Sequence, residues 1–511
     1  MDKYLETFLP DLPEFKAKIE AFDRGEVPPA QYKGFSGGFG SYAQKGYKTH
    51  MLRLRLSGGR ISKEKLRAIA EICERNGVEM AKLTTCQSVQ LHNNPAANVP
   101  SMMEEAWKNG MITRGGGGDF PRNVMCSPLA GLEKGEPFNV APYAKAAGEF
   151  LFGFIKGPKF PRKLKVCFSN GLENIPHATF RDLGFVATAD KKFDVYAAGG
   201  LGNGPSLGVK VAEGVDPSEI LYYIKAMVMT FLAHGNYENR GKARTRFMKE
   251  KLGEQGFIDA FNGMLEEARK EDLDLTVEDE IVEKRGNGTT ASGWNIVEQK
   301  QEGLYAVYYH PIAGQVNPSV FRTIYETIKD MDEVEVRLHP ESALYVVNLT
   351  GDEAQKVQAV LSDGAKTVFE TSTCCVGTTT CQGGLGDSPA LLRACVEAVR
   401  KENFADGVLP KIAISGCPSS CAAHQVAPIG FRGAMKQIPG GKPVPAFAIF
   451  VGGSDKTGKE RIAEAGKSIA VEDIPKFLVE LGKTVSAAGT TYDKWIETNR
   501  ETLDRIIEQF A

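Results

Sequence analysis

The sequence predicts an α+β protein made of two fused copies of one ancestral half, related by a pseudo-twofold. Three observations predict it. LRLSGGRISKEKLRAIAEIC at Leu54–Cys73 is echoed by HPIAGQVNPSVFRTIYETI at His310–Ile328. LKVCFSN at Leu164–Asn170 is echoed by PKIAISG at Pro410–Gly416, and VYAAGGLG at Val195–Gly202 by IFVGGSDK at Ile449–Lys456. The two kinds of segment alternate along the chain, so one pair of segments is used twice.

In the first pair, Gly59 aligns with Gly314. The same offset matches Ser62 with Asn317, Leu66 with Phe321, Ile69 with Ile324 and Cys73 with Ile328. Ser62 and Asn317 suit a helix N-cap, and Pro318 suits a first helical position. Leu66, Ile69, Ala70 and Cys73 keep helical spacing. The unit therefore reads strand, glycine turn, amphipathic helix, strand. In the second kind, a strand leads to a glycine-rich turn and then a helix. The first such helix follows Asp216-Pro217-Ser218-Glu219, a capping-box layout.

At 511 residues the chain exceeds one ordinary core, and about three domains are expected. Apolar residues make up 42% and charged residues 25%, values of a globular protein in water. A net charge of −2 argues against nucleic acid as a partner. No stretch is apolar for the length of a membrane span, and MDKYLETFLPDLPEF lacks the make-up of a secretory signal. The expected location is cytoplasmic, where thiols stay reduced, so the ten cysteines point to metal, catalysis or burial.

Cys375 and Cys381 enclose VGTTT, and Cys417 and Cys421 enclose PSS. Thiolates are the usual ligands of iron–sulfur clusters. Pro418 suits the first turn of a helix, and a helix would put Cys417 and Cys421 on one face. Gly377, Gly383 and Gly384 let the other loop come close. Structural zinc is the competing reading, although its cysteines commonly stand closer in sequence. Cys73 and Cys395 lie in apolar helical runs and read as buried thiols. Spacing alone does not separate Cys374 from Cys375 as a ligand, and Cys126 and Cys167 have no partner at metal spacing.

HMLRLRLSG alternates as a strand, with Arg53 and Arg55 on one face and Leu52, Leu54 and Leu56 on the other. PRKLKVCF does the same with Lys163 and Lys165 against Leu164 and Val166. Taken singly, such pairs read as solvated faces. The repeat argues for more, because Tyr308 and His310 stand where the first copy has Arg53 and Arg55. Charge confined to one copy is expected if one seam between copies binds an anion.

With these features in place, the chain resembles the siroheme-containing sulfite and nitrite reductases over nearly its whole length. SGCPSSC and CVGTTTCQGGLGDS carry the most specific likeness. The resemblance implies ferredoxin-like half-domains at 1–120 and 291–370, a first siroheme-binding domain at 121–290 and an iron–sulfur and siroheme domain at 371–511. It implies a [4Fe–4S] cluster on Cys375, Cys381, Cys417 and Cys421, selecting Cys375 over Cys374, with Cys421 bridging to the siroheme iron. It also implies that Arg53, Arg122, Lys163 and Lys165 surround the substrate anion. Gln90, His92 and Arg162 match positions near the macrocycle. The run NRGKARTRFMKEKLG, with Arg240, Lys242, Arg244 and Arg246, offers cations to the eight carboxylates of siroheme; a solvated helix face is the competing reading.

The Lys163–Lys165 pair resembles sulfite-reducing members, whereas nitrite-reducing members commonly have Asn at the second lysine. Six-electron reduction of sulfite to sulfide is therefore the expected activity, with nitrite to ammonia as the alternative. The strand LTTCQSVQLHN carries one departure: Cys86 stands where the family usually has Arg. That substitution leaves a third reading open, a non-catalytic siroheme-binding homologue. No dinucleotide fingerprint and no flavin-binding segment are present, so a separate ferredoxin or flavoprotein subunit is the expected electron donor.

Overall fold

Leu52 and Leu54 are buried on one side of the strand His50–Arg55, and the repeat-matched Val307 is buried in the strand Tyr305–Tyr309. Both strands pack into one apolar core with the helices Lys63–Asn76 and Ser319–Ile328. The computed structural model describes residues 2–511 and separates into two compact units. Of the described residues, the first comprises 2–200, 205–309 and 316–362; the second comprises 201–204, 310–315 and 363–511.

The first unit holds two sheets of the duplicated half-domain. One runs Ser41–Ala43, His50–Arg55, Ser88–Asn94, Met80–Leu83; the other runs Ile296–Glu298, Tyr305–Tyr309, Ala343–Leu349, Glu335–His339. Each ends on a two-residue strand from the opposite copy. Arg60–Ile61 pairs with Glu335–His339, and Gln315–Val316, whose Val316 belongs to this unit, closes the first sheet. Both short strands follow a tight turn whose central residue, Gly58 or Ala313, is left-handed at φ +63°. Gly59 then passes so close to the neighbouring sheet that a Cβ would lie 3.0 Å from the Leu338 carbonyl oxygen. Gln87 locks this junction, donating to the Leu338 and Cys126 carbonyls at 2.7 and 2.9 Å.

The helix caps follow the sequence with one shift. Ser62 accepts from the Lys65 amide, as its position predicts. The second helix begins at Ser319 rather than Pro318, and Asn317 accepts from the Ser319 amide at 3.0 Å.

The third sheet of the first unit runs Met125–Cys126, Val166–Ser169, Leu183–Ala187, Phe193–Ala197, Val209–Val215. Its first two pairings are parallel and its last two antiparallel. The sheet of the second unit runs Thr373–Cys374, Ile412–Ser415, Ile429–Lys436, Val444–Val451, Glu464–Ala470, with the same sequence of pairings. The chain is thus an α+β duplication throughout. Among the described residues no helix is long and apolar enough to cross a membrane.

Three expected elements differ. LTTCQSVQLHN is not one strand: Cys86 lies in the turn Thr84–Gln87 between Met80–Leu83 and Ser88–Asn94, where Gln87 takes φ +51°. Lys163 and Lys165 precede their strand, which begins at Val166. Cys417–Cys421 is not helical. Ser420 and Ala423 are left-handed at φ +51° and +59°, which a right-handed helix does not admit.

Candidate anion and iron–sulfur sites

The register of the first half-domain sheet sets three side chains in one row. Arg53 lies opposite Gln90, and Gln90 opposite Lys82. Gln90 turns its amide oxygen to the Arg53 guanidinium, accepting from Nε at 2.9 Å, and its amide nitrogen to His92 Nε2 at 3.3 Å. His92 Nδ1 meets Gln44 Oε1 at 3.2 Å. Burial, with Lys82 and Arg53 nearby, pushes the His92 pKa down to about 3, so the ring is neutral and orients Gln90.

Arg122 reaches the same place from the segment before the third sheet. Its Nη1 donates to the Gly116 carbonyl at 2.8 Å, which Arg53 Nη1 also engages, and its Nη2 donates to the Gly118 carbonyl at 2.8 Å. Burial draws the Arg122 pKa down to about 10, and Arg53 and Arg244 add like-charge repulsion. Lys165 sits with its Nζ 3.2 Å from Cys86 Sγ, and burial lowers its pKa, assisted by Arg181 and Arg244. Lys163, two residues away, is half-buried. Arg55, on the same strand as Arg53, has a different task. It is buried, donates to the Arg114 and Arg122 carbonyls at 2.6 and 2.9 Å, and lies over the Phe152 ring.

The remaining basic residues divide into two groups. Arg162 and Arg240 both bind the Asp119 carboxylate, Arg162 at 2.7 Å. Arg244 makes two hydrogen bonds to the fully buried Asp182, at 2.9 and 2.8 Å. Arg246 is buried beside Gly200, where a Cβ would stand 3.2 Å from its Nη1. Lys242 pairs with Glu250 in the open, which is the solvated-face reading for that residue. Arg181 and Asp182 carry no periodic signal in the sequence; their role comes from contacts far along the chain.

In the second unit, strand alternation separates the paired cysteines. Cys374 is buried with Leu391, Ile414 and Cys395 in the core. The Cys375 Sγ accepts from the Gly416 and Gly377 amides at 3.1 and 3.4 Å and stands 3.3 Å from Ser388 Oγ. The two cysteine loops are knitted together, because the Leu385 and Gly386 amides both donate to the Gly416 carbonyl, at 2.8 and 3.0 Å. A Cβ on Gly416 would lie 2.6 Å from the Gly386 oxygen. Cys417 is half-buried, and Cys381 and Cys421 are exposed. Ser420 Oγ meets the buried His424 Nδ1 at 3.2 Å, and Ala422 N donates to Ser415 Oγ at 3.2 Å; these contacts hold the turn that replaces the expected helix.

Among the described residues, no three His, Cys, Asp or Glu side chains close on a single metal ion.

Residues 117–269 and 367–508 match the family described as nitrite and sulphite reductase 4Fe-4S domain. Residues 42–107 match the nitrite/sulfite reductase ferredoxin-like half domain. A protein called "Ferredoxin--nitrite reductase, chloroplastic" from Oryza sativa is 25% identical over 85% of this chain and 74% of its own length. One called "Sulfite reductase [ferredoxin] 2" from Mycolicibacterium paratuberculosis is 28% identical over 79% of this chain and 73% of its own. The structure of the NirA protein of Mycobacterium tuberculosis superposes with a TM-score of 0.79, covering 96% of each chain at 22% identity, a likeness of fold.

Proposed function

Because the chain belongs to the nitrite and sulphite reductase family, we propose that it reduces sulfite to sulfide with siroheme and a [4Fe–4S] cluster, taking electrons from a ferredoxin. The observation that carries this reading is a cluster of half-buried positive charge. Arg53, Arg122, Lys165 and Arg181 gather around one turn of the first half-domain sheet. The buried Nε atoms of Arg122 and Arg244 have no hydrogen-bond partner. Buried charge without a full complement of partners is costly, and an anion or a polycarboxylate relieves it.

The residues fit both groups. Arg244, Arg246 and Arg162 would hold carboxylates of the macrocycle, with Gln90 and His92 in hydrogen-bonding support. Cys375, Cys381, Cys417 and Cys421 would ligate the cluster, and the amides of Gly377 and Gly416 already aim at the first of these sulfurs. Cys421, exposed on its turn, would be the most open of these four ligands together with Cys381. When bound, the two groups supply a coordination site and single-electron delivery.

The chain's own work is positioning and proton supply. Arg53 and Arg122, tied to the same Gly116 carbonyl, present guanidinium N–H groups that orient an oxyanion. Each oxygen leaves as water, so protons must arrive with electrons. Lys163 and Lys165 are the proposed donors, and burial that lowers the Lys165 pKa eases release of its proton.

Purified protein is expected to show a heme-type spectrum with iron and acid-labile sulfide in cluster proportion. Cys375→Ser is expected to lose the cluster, and Cys374→Ser to keep it; the opposite pattern would reverse the ligand assignment. Nitrite reduction is the second reading, favoured by relatives of that name. Comparing kcat/KM for both anions with one donor decides the order, and a clear nitrite advantage overturns ours.

A further inference from the structure

Cys86 lies at the centre of the cation group, in the turn between Met80–Leu83 and Ser88–Asn94 of the first half-domain sheet, with its Sγ 3.2 Å from Lys165 Nζ. The turn is fixed from several sides. Asn123 Nδ2 donates to the Cys86 carbonyl at 3.0 Å, and the Cys86 amide reaches Thr84 Oγ1. The side chain packs against Met125, Cys167 and Ala178. Arg53 approaches from the strand His50–Arg55, Arg181 from the segment after Ala178–Phe180, and Arg122 from before the third sheet. Nearby carboxylate charge is already committed, since Asp182 binds Arg244 and Thr245. His177 faces Arg181 rather than the thiol. Burial and repulsion by Arg181 and Arg244 lower the Lys165 pKa, and the charge of Cys86, whose Sγ is in reach, opposes them.

We propose that Cys86 acts as a thiolate positioning residue that holds the Lys165 ammonium by an ion pair and thereby sets the net charge of the anion site. Burial opposes ionisation of this thiol, but Lys165, Arg181 and Arg53 overcome it and bring its pKa down to about 6. By contrast, Cys126 and Cys167 on the adjoining strands are pushed up to about 12 by burial. Above about pH 6 the site therefore carries one negative charge among its cations; below it, the thiol is neutral and the site is more positive. Anion affinity should rise as pH falls through this value, and Lys165 should lose its counter-charge at the same point.

The inference rests on the anion-site reading above, so two experiments separate the two. In the first, purified holoenzyme is alkylated with iodoacetamide from about pH 5 to about pH 9, and Cys86 labelling is read by peptide mass spectrometry. The expected midpoint is near 6 in the natural protein, moving toward the ordinary thiol value of roughly 8.5 in Lys165→Met. A midpoint in the ordinary range, no shift in Lys165→Met, or no label at any pH overturns the thiolate. This readout does not depend on turnover, and failure of the proposed function would show instead as protein without pigment. In the second, nitrite, which keeps its single charge across the range, is titrated into the holoenzyme and binding is followed by absorbance. Its Kd is expected to rise about tenfold as the thiolate forms, and to stay flat and lower in Cys86→Ser, which keeps the shape without the charge. The same pH curve in both proteins overturns the proposal.

Discussion

In the first half-domain sheet Arg53, Gln90 and Lys82 lie side by side on three strands; in the second the same row is Tyr308, Tyr345 and Arg337. The register is the same and the chemistry is not. The Tyr308 and Tyr345 rings stand 4.9 Å apart, with His339 edge-on to both. Arg337 is spent internally, on Glu335 and the Ala130 carbonyl. The second row is an aromatic packing surface, whereas the first carries a guanidinium and an ammonium group. Duplication supplied the scaffold twice, and on the function proposed above the side chains in this row decide which copy would bind an anion.

The sharpest way to break this contrast is to move a residue between rows. Arg53→Tyr, which imports the second copy's side chain, is expected to lower kcat/KM for sulfite about a thousandfold, roughly 4 kcal/mol of transition-state binding. Its thermal unfolding should shift little. Near-normal turnover would mean that the row does not bind substrate. Next in size, Tyr345→Ala should cost about 3 kcal/mol of stability in denaturant titration while leaving kcat/KM within about twofold. Loss of turnover without loss of stability would give the second row a part in function.

The third test uses pH. In the first half-domain sheet burial lowers the pKa of His50 to about 4 and of His92 to about 3. A histidine whose folded pKa is depressed stabilises the fold fully above its unfolded value of about 6.5 and loses that contribution as pH falls toward the folded pKa. Moving from pH 7 to pH 5 should therefore cost about 2 kcal/mol for each ring. Hydrogen exchange should quicken in His50–Arg55 and Ser88–Asn94 before Tyr305–Tyr309 and Ala343–Leu349. Equal quickening in both sheets would remove the distinction.

Much of this was legible in the sequence, because the repeat preserved its spacing through strand, turn and helix. Gly59 and Gly314 marked the matching turns, and Arg53 against Tyr308 marked the divergence. The exchange of two-residue strands was not legible, since two residues carry no alternation to read. The helix expected over Cys417–Cys421 failed because Ser420 and Ala423 are left-handed, held by partners as far back as Ser415 that local propensity ignores. Cys86 was visible as a departure, but its meaning lay in Lys165, which only the fold brings beside it.

The traded strands also speak to ancestry. Arg60–Ile61 completes the sheet of the other copy, and Gln315–Val316 returns the exchange. Two separate chains meeting as a symmetric pair would make the same reciprocal loan, each lending an arm to its twin. Fusion of such a pair would turn a partnership that depends on concentration into one written within a single gene. Joined in one chain, the two copies are free to differ: one has an arginine at Arg53, and the other has the Tyr308 ring in its place.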